Sequence, residues 1–480
     1  MFEHSTIAAT IAALRPAVAA CVLLCASGCA VGPDFVSPMP QAPAQTAFSN
    51  SASQHDVFAA APPPAAWWKL YEDPALDAIV GEALAANTDL RVAAANLARA
   101  SAVLREARGG RLPSITADAG VTKSRQNFFL DEPIAVENTV YNVSVGASYQ
   151  LDFFGRVRRA IEATRANAEA TEAALHVAQI SVVAQTAGAY AEACAYGAQL
   201  GVAENNLALQ TRSLELTEQL RDAGRGTALD VSSASAAAAQ SRALIPSLRA
   251  QRDAALYSLA VLMGRAPADY PAEAANCNTL VTLAQKLPVG DGAALLQRRP
   301  DLRQAERELA AATARVGIAT AEFYPSVSLG GSVGSAALSA NALGDSNTKV
   351  WSFGPLLSWT FPNVIGTRAR VAQTEADLDA ATARFDGAWL NALRETESAL
   401  SAYANELERV AALREARTFS ADAVNLANLR FNAGQQSFLD VLQVELTSTQ
   451  AEMALAQSEA RLAALQIDLF LALGGGWGNP

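Results

Sequence analysis

Residues 112–123 alternate strictly, with Ile115, Ala117, Ala119 and Val121 interleaved with Thr116, Asp118, Gly120 and Thr122. Residues 141–153 repeat the pattern: Tyr141, Val143, Val145, Ala147, Tyr149, Leu151 and Phe153 fall on one side, Asn142, Ser144, Gly146, Ser148, Gln150 and Asp152 on the other. Two later segments do the same. Val327, Leu329 and Val333 oppose Ser326, Ser328 and Ser332, and Trp351, Phe353, Leu357, Trp359 and Phe361 oppose Ser352, Gly354, Ser358 and Thr360. A period of two predicts four strands, each with an apolar face and a face of small polar residues. At about ten to thirteen residues each, such strands have the length and alternation to cross a bilayer with lipid on one side and water on the other. Aromatics near their ends suit interfacial girdles. Four strands cannot close a barrel, and an open edge in lipid leaves backbone groups unpaired, so other copies of the chain must complete them.

The rest of the pattern is helical. Residues 74–108 and 293–322 form a first helical stretch in each half, stopped by Gly109-Gly110 and by Pro325. After each strand pair comes a run without proline, 155–222 and 366–432, and about 67 residues at 1.5 Å each make roughly 100 Å of helix. Heptads run through these segments, in Leu200, Leu207, Leu214 and Val202, Leu209, Leu216, then Leu393, Leu400, Leu407, which predicts coiled-coil rods. Gly224 and Gly434 break them, and return helices to Gly264 and Gly474 complete one long antiparallel hairpin per half.

The halves are copies of one unit. Asp89-Leu90-Arg91 recurs as Asp301-Leu302-Arg303 and Leu112-Pro113-Ser114 as Tyr324-Pro325-Ser326, at an offset of about 212. Downstream, Ala223-Gly224 and Leu229-Asp230-Val231 match Ala433-Gly434 and Leu439-Asp440-Val441 at about 210. The expected organisation is a first repeat at 75–264, a linker at 265–291, a second repeat at 292–474 and a tail at 475–480.

Composition narrows the function. The chain is 51% hydrophobic, much of it Ala, and 17% charged, too apolar for disorder. Its 36 basic and 47 acidic residues leave a net charge of -11, which argues against a nucleic-acid partner. Cys21, Cys25, Cys29, Cys194 and Cys277, with His4, His55 and His176, follow no metal-site spacing, and no metal or other cofactor is expected. A short apolar run, 17–28, follows Arg15 and ends Ala26-Ser27-Gly28-Cys29. It is too short to span a membrane and resembles a bacterial lipoprotein signal, residues 1–28, cut before a lipid-modified Cys29. Ala30 after it, rather than Asp, resembles a signal for delivery to the outer membrane. Residues 29–74, rich in Pro, Ala, Ser and Gln, read as a tether between lipid and body.

Bilayer-crossing strands feeding helical rods, in duplicate behind an N-terminal lipid, resemble the outer membrane factor family, the TolC-like exit ducts of tripartite efflux pumps, in its NodT-like lipoprotein branch. Cys29-Ala30-Val31-Gly32-Pro33-Asp34-Phe35, Trp68 with Asp73-Pro74 and Leu76, Leu151-Asp152-Phe153-Phe154-Gly155-Arg156, Arg299-Pro300-Asp301-Leu302, Phe323-Tyr324-Pro325 and Leu473-Gly474-Gly475-Gly476-Trp477 carry the likeness. It implies a mainly α chain with a transmembrane β-barrel portion. A homotrimer would form a twelve-stranded barrel over a twelve-helix tunnel in the outer membrane, extending into the periplasm. Its implied partners are a periplasmic adaptor and an inner-membrane pump, and its implied cargo is small molecules such as drugs.

By the same resemblance Asp230 and Asp440 lie near the aperture that closes the tunnel, and Gly224, Thr227, Gly434 and Ser437 at the tips are adaptor-contact candidates. Thr227-x-x-Asp230 and Ser437-x-x-Asp440 are also capping boxes, and a carboxylate can serve both roles. Where relatives often carry Tyr and Arg, this chain has Phe431 and Gln436, so no aperture lock is transferred. Arg156, Arg158 and Arg159 read as a solvated cap at the membrane boundary ahead of a basic ring in the duct. Cys194 falls in a series of small packing residues. A bond from it to Cys277 is open in an oxidising compartment but not demanded by spacing. No convergent acid, base and nucleophile set supports an enzyme. A lipid-anchored coiled-coil adhesin would explain the rods but not four amphipathic strands placed identically in two repeats.

Overall fold

The computed structural model describes residues 30–38, 57–59, 61–129, 133–283, 286–290, 299–361 and 364–475. Cys29 and the signal segment lie outside the described residues. The elements are β1 (Phe58–Ala59), α1 (Pro74–Ala86), α2 (Thr88–Gly109), β2 (Ser114–Phe129), β3 (Pro133–Leu151), α3 (Arg156–Asp222), α4 (Ala228–Leu262), α5 (Ala272–Ala275), β4 (Leu287–Pro288), α6 (Pro300–Ala321), β5 (Ser326–Ala337), β6 (Lys349–Ser358), α7 (Val364–Asn432) and α8 (Phe438–Ala472). They fall into two compact units that each draw on both sequence copies. One takes residues 1–38, 97–171 and 305–385, the other 39–96, 172–304 and 386–480.

The first unit holds an antiparallel sheet in the order β2-β3-β5-β6. β2 and β3 are 16 and 19 residues long, longer than the apolar alternation predicts. The ladder continues past Val121 and Tyr141, where the alternation stops, through Lys123 with Thr139 and Arg125 with Glu137, and on to Phe128 with Ile134. Backbone pairing carries on where side chains turn polar, because the ladder hydrogen bonds do not depend on side-chain character. Helical packing in this unit relies largely on alanine: Ala166, Ala310 and Ala311, then Ala312 and Ala381 with Leu309, are buried around Phe35.

The second unit is centred on Trp67, fully buried and stacked on Phe470 at 4.8 Å between ring centroids. Leu76, Val80, Leu256, Leu259, Leu400 and Leu469 belong to the same buried cluster, each contributing about 1.5–3 kcal/mol by burial. The helical hairpins pair as expected. Leu200 and Ala203 of α3 meet Ile245 and Leu248 of α4, with Glu204 bridging to Arg249 at 3.2 Å. In the other hairpin Arg414 of α7 bridges to Glu459 of α8 at 2.7 Å. These positions correspond at the offset of 210, with the charges exchanged.

Two expectations need correction. The helix predicted at 74–108 is two helices, because Asn87 leaves the helical conformation and its Oδ1 accepts the amides of Asp89 and Leu90 at 2.9 and 3.2 Å as a cap for α2. The tether predicted at 29–74 is built into the fold wherever it is described. Phe35 packs among alanines, β1 pairs in parallel with β4, and Trp67 and Trp68 are buried. A few aromatics dock a segment whose Pro, Ala, Ser and Gln composition has too few bulky apolar side chains to fold alone.

Candidate functional site

The sheet register separates the two faces. Ile115, Ala147, Gly331 and Phe353 form one cross-strand row, with Val145, Val333 and Trp351 above it and Leu151, Val327 and Leu357 below. The opposite face carries Ser114, Ser148 and Gly330 in one row and Thr116, Gly146, Ser332 and Ser352 in the next. Leu356 and Val350 are exceptions on that polar face. The apolar face is uncovered, with Trp351 and Phe353 79% and 73% exposed, so it requires an apolar environment. From Tyr141 to Leu151 the apolar band spans about 33 Å of strand, or about 23 Å across a bilayer at a tilt near 45°. Within the chain, the outer edges of β2 and β6 have no partner strand among the described residues.

The hairpin tips are built twice on one plan. Gly224 and Gly434 take φ of +73° and +72°, a left-handed conformation that glycine adopts without a Cβ clash. The Gly224 amide donates to the Arg221 carbonyl at 2.9 Å and the Arg225 amide to that of Leu220 at 2.8 Å. Gly434 and Gln435 donate to Phe431 and Arg430 in the same way, both at 2.9 Å. This bond pair closes each outgoing helix by satisfying its last carbonyls. Thr227 then caps α4: its Oγ1 accepts the Asp230 amide at 3.2 Å, and Asp230 Oδ2 accepts the Thr227 amide at 2.8 Å. Ser437 and Asp440 repeat the box for α8 at 3.3 and 3.2 Å. Ala234 and Ala237 beside one tip pack with Phe438 and Leu442 beside the other, and Phe431 meets the Phe438 ring at 6.0 Å. Phe431 is therefore a packing residue, set against Phe438 of its own tip at the edge of the cluster that joins the two tips.

A family model described as outer membrane efflux protein matches residues 79–265 and again residues 293–475. The chain belongs to that family. The efflux protein is 31% identical to outer membrane protein OprJ of Pseudomonas aeruginosa over 477 residues, covering 96% of this chain and 97% of OprJ. It is 29% identical to nodulation protein T of Rhizobium leguminosarum bv. trifolii over 455 residues, covering 95% and 96%. Among solved structures it resembles the outer-membrane channel OprN, with a TM-score of 0.88 at 36% identity over 94% of this chain and all of that one. The outer membrane protein VceC of Vibrio cholerae gives 0.80 at 27%, over 87% and 100%. The expected fold, outer-membrane location and role as an efflux channel hold.

Inside the efflux protein, several motif residues turn out to be fasteners. Arg159 is buried, where a solvated position was expected for it. Its guanidinium donates to Asp34 at 2.7 Å, to Glu162 at 2.9 Å and to the carbonyls of Val31 and Gly32 at 3.3 Å, clamping residues 30–38. Arg156 and Arg158 remain exposed. Asp73 caps α1 and accepts the Tyr190 hydroxyl at 2.8 Å. Arg299 holds Asp301 and Glu395 at 2.6 and 2.8 Å and donates to the Ala472 carbonyl at the end of α8. Its counterpart at the offset of 212 is Asn87, whose Nδ2 donates to the Leu262 carbonyl at the end of α4. Aligning the copies pairs these two positions, which is the sequence signal that could have found the latch.

Cys194 and Cys277 are bonded, tying the inter-repeat segment to α3 and settling the open pairing. On the tip side of that bond the helical core turns polar: Asn206, Gln210 and Thr217 of α3 and Glu445 and Ser448 of α8 are all buried. Glu445 accepts the Ser213 hydroxyl at 2.9 Å, and burial pushes its carboxyl above the ordinary range. Nothing in the sequence period singled out this seam, because polar residues at core heptad positions look like solvated ones.

Proposed function

We propose that three copies of this chain form the exit duct of a tripartite efflux pump, joining edge to edge so that three four-stranded sheets close as a twelve-stranded barrel. The observation that supports this most directly is the sheet itself, with a bare apolar face, a face of Ser, Thr and Gly, and two outer edges without a partner strand. Closure by copies of the same chain satisfies both edges in lipid, where each unpaired backbone group costs several kcal/mol. The polar face lines a water-filled passage, and the charged hairpin of β2 and β3 beyond Tyr141 projects outside the bilayer. A lipid on Cys29 anchors the N-terminus. A periplasmic adaptor engages the helical tips around Gly224, Thr227, Gly434 and Ser437 and links them to an inner-membrane pump that selects small molecules such as drugs. Asp230 and Asp440 contribute negative charge at the aperture while capping their helices. Mass measurement in detergent tests the assembly: a trimer is expected, and a monodisperse monomer overturns the reading. Loss of drug resistance on deletion, restored by the intact gene, tests the transport role.

A further inference from the structure

The apolar face of the sheet is not flat. A groove of about 420 Å³ runs along it over β3 and β5, walled by Ile115, Tyr149, Leu329 and Phe353 and floored by the paired Ala147 and Gly331. Gly331 keeps the floor low, since a Cβ there would lie 3.2 Å from the Phe353 ring. The groove opens about 7 Å along the strand from Leu151, where the sheet ends. Four residues further on is Gly155, at φ +78°, and the N-terminal strap is seated on it: a Cβ on Gly155 would come within 2.6 Å of the Ala30 methyl. The Val31 amide donates to the Phe154 carbonyl at 3.3 Å, and Arg159 holds Val31, Gly32 and Asp34. The strap thus fixes Ala30 at the foot of the sheet, and Cys29 is its covalent neighbour.

We propose that the groove seats an acyl chain of the lipid carried by Cys29, an inference that rests on the lipidation reading above. The inner strands β3 and β5 have their backbone groups committed to neighbours on both sides, so the groove offers nothing to an added peptide strand. A second copy joins at β2 and β6 and leaves the centre of the sheet free. What the groove presents is a nearly continuous hydrocarbon wall beside the point where the lipid enters the bilayer, and an alkyl chain is the ligand that matches it. Arg159 is a positioning residue, acting through the strap.

The test uses the full chain in its native membrane. Cells are fed palmitate bearing a photoactivatable diazirine, irradiated, and the purified trimer is digested and mapped by mass spectrometry, with the intact mass reporting acylation of Cys29. Crosslinks from the Cys29 lipid to residues 143–149 and 329–333 are expected. Ala147→Phe, which fills the floor at an exposed position, and Arg159→Ala, which frees the strap, should each remove most of that crosslink while acylation and trimer mobility stay unchanged. Ala147→Ser should retain it. Full acylation with crosslinks confined to bulk phospholipid, or with equal yield in Ala147→Phe, overturns the groove and leaves lipidation standing. An intact mass without acyl groups overturns the lipidation reading and the groove together.

Discussion

The bond between Cys194 and Cys277 closes a loop of 83 residues and pins the inter-repeat segment against α3. Cys277→Ser removes the cross-link with little disturbance to packing, because Cys194 keeps its buried sulfur in place and Cys277 is only half-buried. Loop-closure entropy for a ring of that size is worth about 4.5 kcal/mol at 25 °C. The unit that contains it has about 290 residues, so its unfolding entropy is roughly 0.6 kcal/mol/K, and the loss corresponds to a fall of about 7 °C in its melting temperature. Circular dichroism melts of the detergent-solubilised protein, with and without reductant, measure this. Wild type in reductant should melt with the variant, and the variant should ignore reductant. Coincident melts for wild type and Cys277→Ser, or alkylation of both thiols in unreduced denatured protein, would refute the argument.

Three further outcomes follow from the same geometry. Replacing Asp230 and Asp440 with Ala should cost about 1 kcal/mol per cap, and if their charge also acts on the aperture, single-channel recordings should show lower cation preference; unchanged selectivity in a folded double variant returns both residues to capping alone. Arg159→Ala should expose residues 30–38 to added protease at a cost of about 1–2 kcal/mol, since both of its carboxylate partners are partly or largely solvated, and continued resistance would remove Arg159 as the clamp. Burial raises the Glu445 carboxyl, so the proton it holds stabilises the α3–α8 seam fully below the pH where a free glutamate titrates, and that contribution fades as pH rises through the raised value. Glu445→Gln should make hydrogen exchange in α8, corrected for intrinsic rates, independent of pH across that window; an unaltered profile would refute this.

The elements that could be read from the chain are those whose side chains must satisfy a long, uniform environment. Strands in two media and two long helices with heptads impose their period at every turn, so the inner part of β3 was legible and the helix at 156–222 was legible almost to the residue. The capping boxes at Thr227 and Ser437 were legible for a different reason, as they are local and complete within four residues. What escaped was decided by contacts distant in sequence. Asn87 breaks a continuous helical period because it also holds the Leu262 carbonyl, 175 residues away. Arg159 looks like its solvated neighbours Arg156 and Arg158 until Asp34 and the strap carbonyls are brought to it. At the outer end of the β2–β3 hairpin charged residues such as Lys123, Arg125 and Glu137 interrupt the alternation, although the backbone there pairs as regularly as the rest.

The exchanged ion pairs of the two hairpins bear on how a duplicated protein keeps its halves apart. Copies of one unit begin life interchangeable, and a nascent α3 could close on α8 as readily as on α4. In that mispaired register Glu204 would meet Glu459, and the displaced Arg414 and Arg249 would meet each other. Each bridge is too exposed to hold its own hairpin together, and the mispaired repulsion is screened to the same degree, so together they amount to a small bias against the wrong partner, about 1 kcal/mol or less at each site. Inverting the polarity in one copy gives each half an address that the other answers less well.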